Sequence, residues 1–223
     1  YDNTLIIFTS DHGAEASGSA DPSSFSARQG PTSVGYNIDY ESLGLKGSYN
    51  TISPSFASSA ASPLSLFKFY AGEGGMRVPL IVSGPSVTKA GEINHALSFV
   101  TDITPTLLSV AGVTAPRDRY RGRPVEPMVG RDLMPLTIGE LDRVYEESDS
   151  VGYELAGHAA LFQGDYKLLF TRGALGDGQW HLYDIVRDPG ETRDLAALKP
   201  ARLQTMLSAY QRYVRENRVL EVP

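Results

Sequence analysis

The sequence predicts an α/β chain: the remainder of a parallel-sheet domain, followed by a small antiparallel sheet with a C-terminal helix. Three observations predict it. Leu5-Ile6-Ile7-Phe8 is a run of β-formers too short for a helix, and the chain then reaches Asp11-His12-Gly13; such a run reads as a strand buried on both faces, as in parallel sheets. From about Asp142 the apolar residues alternate in short segments split by Gly-Asp turns, the pattern of antiparallel strands with local connections. Leu203, Met206, Leu207, Tyr210, Tyr213 and Val214 then repeat at helical spacing, giving one apolar face. The expected division is residues 1–141 for the α/β part and 142–223 for the antiparallel part.

The first strand carries the chemistry. Ligands of open α/β sheets sit beyond the carboxyl ends of the strands, where Asp11 and His12 are expected. An adjacent carboxylate and neutral imidazole can give one metal ion an oxygen and a nitrogen ligand, and Gly13 lets the chain turn away without a Cβ near the ion. The competing reading of Asp-His-Gly is a plain turn in which the Asp side chain holds a backbone N–H. Tyr1 is not a methionine and a core strand begins within a few residues; parallel strands need neighbours, so preceding sequence is expected to be missing.

Residues 14–62 are rich in Ser, Gly, Ala and Pro, with Tyr36, Tyr40, Tyr49 and Phe56 among them. They read as a long, partly packed loop. Residues 78–83 predict a second buried strand, with Pro79 at its start and Gly84-Pro85 at its end. Residues 98–111 predict an amphipathic helix capped by Thr101 or Asp102, with Pro105 in its first turn and Gly112 as its stop; Leu107, Leu108, Val110 and Ala111 would face the core. Residues 115–134 read as a surface connection whose alternating arginines form a solvated face. Strands are expected at 144–147, 159–162, 166–171 and 179–185, then a turn at Asp188-Pro189-Gly190-Glu191 and a helix over about 199–217 with Pro200 in its first turn.

Composition narrows the function classes. The chain has 223 residues, 41% of them hydrophobic and 21% charged, with a net charge of -6. That charge argues against sequence-independent nucleic-acid binding, which needs a basic face. No apolar run approaches the length of a membrane span, and no leader pattern opens the chain. Cysteine is absent, which excludes disulfides and thiolate chemistry from these residues and leaves a soluble chain in either the cytoplasm or the periplasm.

Five phrases follow in fixed order: residues 2–15 with Thr9-Ser10-Asp11-His12-Gly13-Ala14-Glu15; Glu73-Gly74-Gly75-Met76-Arg77-Val78-Pro79; residues 101–113 with Thr101-Asp102-Ile103-Thr104-Pro105; Gln163-Gly164-Asp165-Tyr166-Lys167-Leu168; and residues 182–195 with Asp188-Pro189-Gly190-Glu191. The series resembles the C-terminal portion of the bacterial arylsulfatases, within the alkaline-phosphatase-like superfamily, from Asp2 to about Val219. The resemblance implies hydrolysis of small-molecule sulfate esters. Residues 1–141 would be the C-terminal part of the catalytic domain and 142–223 its antiparallel subdomain. Asp11 would be an oxygen ligand of one divalent metal, calcium by resemblance, and His12 stands where arylsulfatases commonly have Asn. Calcium prefers oxygen ligands whereas imidazole suits manganese or zinc, and Asp-His-Gly here resembles the related phosphonate and phosphate ester hydrolases. Lys68 matches the family lysine that contacts the sulfate.

The resemblance places the nucleophile elsewhere. Sulfatases convert Cys or Ser to formylglycine within a Cys/Ser-x-Pro-x-Arg phrase, and the nearest run here, Ser83-Gly84-Pro85-Ser86-Val87, lacks the Arg. Formylglycine is therefore expected in the missing N-terminal half of the same fold, which would be this chain's partner, and the chain alone is expected to be inactive. A non-catalytic remnant that binds a metal or an anion is the alternative outside enzymology. Glu73 and Arg77 are expected to pair with one another or with backbone, and His95, His158 and His181 to be packing or surface residues. Ala159 and Phe162 stand where the family often has arginines.

Overall fold

The computed structural model describes residues 2–16, 32 and 34–220. Residues 17–31 and 33, part of the expected long loop, lie outside the described residues. The chain is of mixed α/β class with small antiparallel sheets and a C-terminal helix, as expected, and it divides into two compact units.

The first unit comprises residues 1–9 and 79–149. Strand β1 (Ile6–Thr9) pairs with β2 (Leu80–Ser83), in the register Ile6↔Ser83 to Thr9↔Leu80. Two details depart from expectation. The pairing is antiparallel, and the strands are not buried on both faces: Ile6 is 45% exposed, Phe8 63% and Ile81 56%. The ribbon is two-stranded, so one apolar face has no covering layer among the described residues of this unit.

In the same unit a helix forms as expected, α3 (Ile103–Val110). Its expected core face is not its buried face. Leu107 and Val110 are exposed, while Asp102 and Thr106 are buried, because the helix is held by polar contacts. Thr106 Oγ1 donates to the Asp102 carbonyl and accepts from Leu133 N–H at 2.9 Å. Asp102 occupies the N-cap position, yet its carboxylate turns away from the helix and takes Phe99 N–H at 2.7 Å, Arg131 N–H at 2.8 Å and the Tyr145 hydroxyl. Burial and then that carboxylate push the Tyr145 phenol pKa up. Residues 144–147 are not a strand. The Val144 carbonyl is taken by the Arg131 guanidinium at 2.8 Å, and Glu146 N–H closes a turn on Asp149. A short hairpin, β3 (Arg119–Tyr120) with β4 (Arg123–Pro124), lies within the exposed arginine stretch, and a single turn, α4 (Met134–Thr137), follows it.

The second unit comprises residues 10–78 and 150–223. Helix α1 (Ser53–Ala61) falls within the stretch read as loop, and a single turn, α2 (Glu73–Met76), follows. The C-terminal sheet is an antiparallel meander of β5 (Val151–Leu155), β6 (His158–Gln163), β7 (Tyr166–Phe170) and β8 (Trp180–Asp184). Leu161, Leu168 and Leu182 form one cross-strand row. Helix α5 (Pro200–Asn217) sets Met206 and Ala209 against that row. The helix runs where its periodicity predicts. Among the described residues no helix is long and apolar enough to cross a membrane.

Leu182 is fully buried at the centre of this cluster. Leu182→Ala should destabilise the protein by about 2–5 kcal/mol, the lost transfer free energy plus the cavity left behind. Denaturant unfolding measures this, and an unchanged midpoint would remove Leu182 from the core.

Candidate active site

The segment after β1 folds onto the segment carrying Lys68 through backbone hydrogen bonds. Gly13 N–H donates to the Gly75 carbonyl at 2.9 Å, and Lys68 N–H donates to the Ala14 carbonyl at 3.0 Å. The first contact requires glycine, since a Cβ on residue 13 would lie 1.9 Å from the Gly74 carbonyl oxygen. The Lys68 ammonium pairs with the Glu15 carboxylate. Asp11, His12 and Lys68, predicted separately from sequence, therefore belong to two segments joined side by side.

His12 is oriented by its own backbone neighbour. Its Nδ1 lies 2.8 Å from the Gly13 carbonyl, which can only accept, so Nδ1 carries a proton and Nε2 is the nitrogen whose lone pair a neutral imidazole would offer to a metal. That Nε2 is 3.4 Å from Asp11 Oδ2. Two ligand bonds of roughly 2.2–2.5 Å at a right angle span about 3.1–3.5 Å, so this oxygen–nitrogen pair fits adjacent positions on one divalent ion. Asp11 is largely exposed. No group of three or more His, Cys, Asp or Glu able to hold a metal occurs among the described residues, so within them the pair offers two donors.

Lys68 lies in a loop with two non-glycine residues in the left-handed region, Leu66 at φ 61° and Phe69 at φ 78°. Such residues need the surroundings to hold them. Phe67 is buried and meets Tyr70 edge-on at 5.3 Å, and Tyr70 lies against the His158 ring at 4.7 Å. The Lys68 side chain is partly enclosed. Lysine carries three N–H donors, so the Glu15 contact leaves donors for an anionic ligand.

A buried ionic cluster stands beneath this loop. Glu73 pairs with Arg77, as the sequence predicts, with Nε to Oε2 at 2.6 Å. The sequence reading missed Lys167 and Glu191. Lys167 is fully buried in β7, and its Nζ is 2.8 Å from both Glu73 Oε1 and Glu191 Oε1. The available clue was a lysine on the same strand face as Leu169, inside an otherwise apolar segment. Burial pushes the Glu73 pKa up, but the Lys167 ammonium and Arg77 guanidinium outweigh it and hold the carboxyl below its usual value of 4.5. This lowered value sets a pH dependence. The pairing contributes in full above pH 4.5 and is lost as pH falls through the folded-state value. Glu73→Gln should thus show its largest stability deficit above pH 4.5, shrinking in acid; a deficit unchanged with pH in urea unfolding would contradict this.

His181 is held between two carboxylates, Nε2 at 3.0 Å from Asp177 and Nδ1 at 2.8 Å from Asp194. Burial lowers its pKa, but these carboxylates outweigh burial and raise it. A cleft of about 460 Å³ is lined by Ser65, Leu66, Thr171, Asp177, His181 and Tyr183. Ala159 and Phe162 are buried, so neither is a surface group that could meet a substrate.

The family described as Sulfatase matches residues 1–113. The family described as N-sulphoglucosamine sulphohydrolase, C-terminal, matches residues 67–216. An uncharacterized sulfatase of Schizosaccharomyces pombe is 32% identical over 222 residues, covering 100% of this chain and 40% of that protein. An arylsulfatase of Klebsiella aerogenes is 29% identical, over 60% of this chain and 28% of its own length. The chain thus spans less than half the length of these relatives. Among solved structures, Ps i-CgsB in complex with k-i-k-neocarrahexaose matches 96% of this chain and 37% of its own, with a TM-score of 0.63 and 21% identity. BT4656 in complex with its substrate D-glucosamine-2-N,6-O-disulfate matches 97% of this chain and 35% of its own, at a TM-score of 0.55 and 23% identity.

Proposed function

The chain belongs to the sulfatase family, and on that premise we propose that it is the C-terminal part of a metal-dependent sulfate ester hydrolase, acting within a longer protein. In this reading residues 1–141 complete the α/β catalytic domain and residues 142–223 form its antiparallel subdomain. The observation that carries the proposal is the joining of the Asp11–Glu15 segment to the Lys68 loop. It sets an oxygen–nitrogen donor pair and a lysine on neighbouring segments, as a site for a metal and a sulfate group requires.

Asp11 Oδ and His12 Nε2 would hold one divalent ion. Calcium is the family expectation, and the imidazole at His12 admits manganese or zinc. The ion supplies charge stabilisation on the ester oxygens when bound. Lys68 would hold a sulfate oxygen through its ammonium, where a point charge offsets the negative charge that grows in the transition state. A formylglycine on the remainder of the protein would supply the nucleophile. The uncovered apolar face of β1 and β2 supports a covering layer from that same remainder, since exposed apolar faces of this kind mark contact surfaces. The chain alone, with two donors, is expected to be inactive.

One observation favours a second reading. The lone pair of His12 Nε2 suits a transition metal, and phosphonate or phosphate ester hydrolysis is the reaction that fits such an ion in this superfamily. Turnover of an aryl sulfate, a phosphate ester and a phosphonate ester by the full-length protein, each with calcium, manganese and zinc, separates the two. The proposal expects the sulfate ester to have the highest kcat/KM. A phosphate or phosphonate ester in first place, or no sulfate turnover with any metal, would overturn it.

A further inference from the structure

The Lys68 loop is bracketed by Ser65 and Glu73, and both ends are tied to one carboxylate. Glu191 Oε2 accepts the Ser65 hydroxyl on one side and Glu73 N–H, at 2.9 Å, on the other. Its second oxygen meets Lys167 Nζ at 2.8 Å. Lys167 in turn meets Glu73 Oε1 at 2.8 Å, while Arg77 takes Glu73 Oε2 and reaches the Ile185 carbonyl at 3.3 Å. Two carboxylates thus face two cations, and the Lys167 side chain at the centre is fully buried.

The local chain cannot supply this restraint by itself. Leu66 and Phe69 are left-handed without being glycine, a conformation that persists only where its surroundings enforce it. Gly74 and Gly75 lie so close beneath the loop that a Cβ would be 2.3 Å from the Leu66 carbonyl oxygen and 2.4 Å from that of Tyr70. The loop is folded down onto α2, and α2 is fixed through Glu73. Glu191 is itself left-handed, at φ 54°, in the turn organised by Asp188, whose carboxylate accepts from Thr192 N–H and Arg193 N–H. The strained parts thus meet at one buried ion cluster.

We propose that Lys167 and Glu191 are positioning residues for Lys68: neither bonds Lys68 itself, and together they clamp the two ends of its loop so that the ammonium is fixed beside the Asp11–Glu15 segment. The inference rests on the sulfate-contacting role proposed for Lys68. It adds that the C-terminal sheet sets the placement of that lysine through a buried charge.

The test uses the full-length protein. Lys167→Met removes the charge at similar length, and Ser65→Ala removes one tie with little risk to folding. The expected loss in kcat/KM is about 10–100-fold for Lys167→Met, the range typical of outer partners of a reacting group, and about threefold to tenfold for Ser65→Ala, one hydrogen bond. The loss should fall on kcat rather than KM, because the lysine acts in the transition state. In the Lys68→Ala background both substitutions should have no further effect on kcat/KM. Hydrogen exchange at Lys68 and Tyr70 should rise about threefold to tenfold in Ser65→Ala, with exchange in β6 to β8 unchanged.

If Lys68→Ala alone leaves kcat/KM intact, the role of Lys68 is wrong and the clamp falls with it. If Lys68→Ala costs activity but the loop variants cost the same in its presence and absence, Lys68 keeps its role and the positioning is wrong. If Lys167→Met does not fold, Ser65→Ala and its exchange pattern decide alone, and unaltered loop exchange overturns the proposal.

Discussion

Lys68→Ala in the full-length protein is expected to lower kcat/KM for a sulfate ester by about 10²–10³-fold, or roughly 3–4 kcal/mol, the usual cost of losing one preorganised group that meets transition-state charge. The geometry gives reasons to expect the upper part of that range. The loop is tied at both ends and carries left-handed residues on either side of the lysine, so its backbone is held in place when the side chain is truncated. The Glu15 carboxylate that pairs with Lys68 would be left facing the anionic substrate, adding repulsion to the lost attraction. Steady-state kinetics with an aryl sulfate measures this. A value unchanged within twofold would remove Lys68 from the site.

Asp11→Ala is expected to act through the metal. Bound metal content should fall, and kcat/KM should drop by at least about 10²-fold, since an ion contributes several kcal/mol of charge stabilisation. His12→Asn separates ion identity from ion binding. Replacing the imidazole with an amide oxygen donor should shift the preference toward calcium and weaken binding of manganese and zinc. Elemental analysis of both variants, alongside activity after chelation and re-addition of each metal, checks the pair of expectations. Full metal content in Asp11→Ala would contradict the assignment.

What the sequence reveals depends on how local the cause is. Strands β6, β7 and β8 are legible because short apolar segments are split by Gly-Asp turns, and helix α5 because Leu203, Met206, Leu207, Tyr210 and Tyr213 recur at helical spacing. Helix α1 is not, because its Ser and Ala side chains leave no apolar stripe and only Ala57 is buried. Strand β5 is hidden by Gly152, a weak strand former whose place is fixed by the Tyr213 ring lying where its Cβ would be. Residues 144–147 alternate like a strand, but Arg131 takes the Val144 carbonyl that a ladder would need.

The same contrast holds at the candidate site. Asp11 and His12 stand out because they end a run of β-formers beside their own turn residue, Gly13, whereas Lys68 stands out only by its match to the family lysine; hydrogen bonds of the Gly13 and Ala14 backbone join the two segments. Lys167 and Glu191 lie in phrases that carry the resemblance, yet nothing in those phrases marks them as partners of Glu73. Lys167 meets Glu73 across 94 positions, and no local pattern marks a lysine whose partners are so distant. A charge in an apolar strand was the only trace, and burial turns that trace into the centre of an ion cluster.

The central claim is that Asp11 and Lys68 act on one substrate group in one site. A double-mutant cycle on kcat/KM with Asp11→Ala, Lys68→Ala and the combined variant tests it most directly, because groups that act as a unit are strongly non-additive. The account predicts a combined loss close to that of the more damaging single substitution. A combined loss equal to the product of the two single losses would show that the residues act independently, and would contradict a shared site.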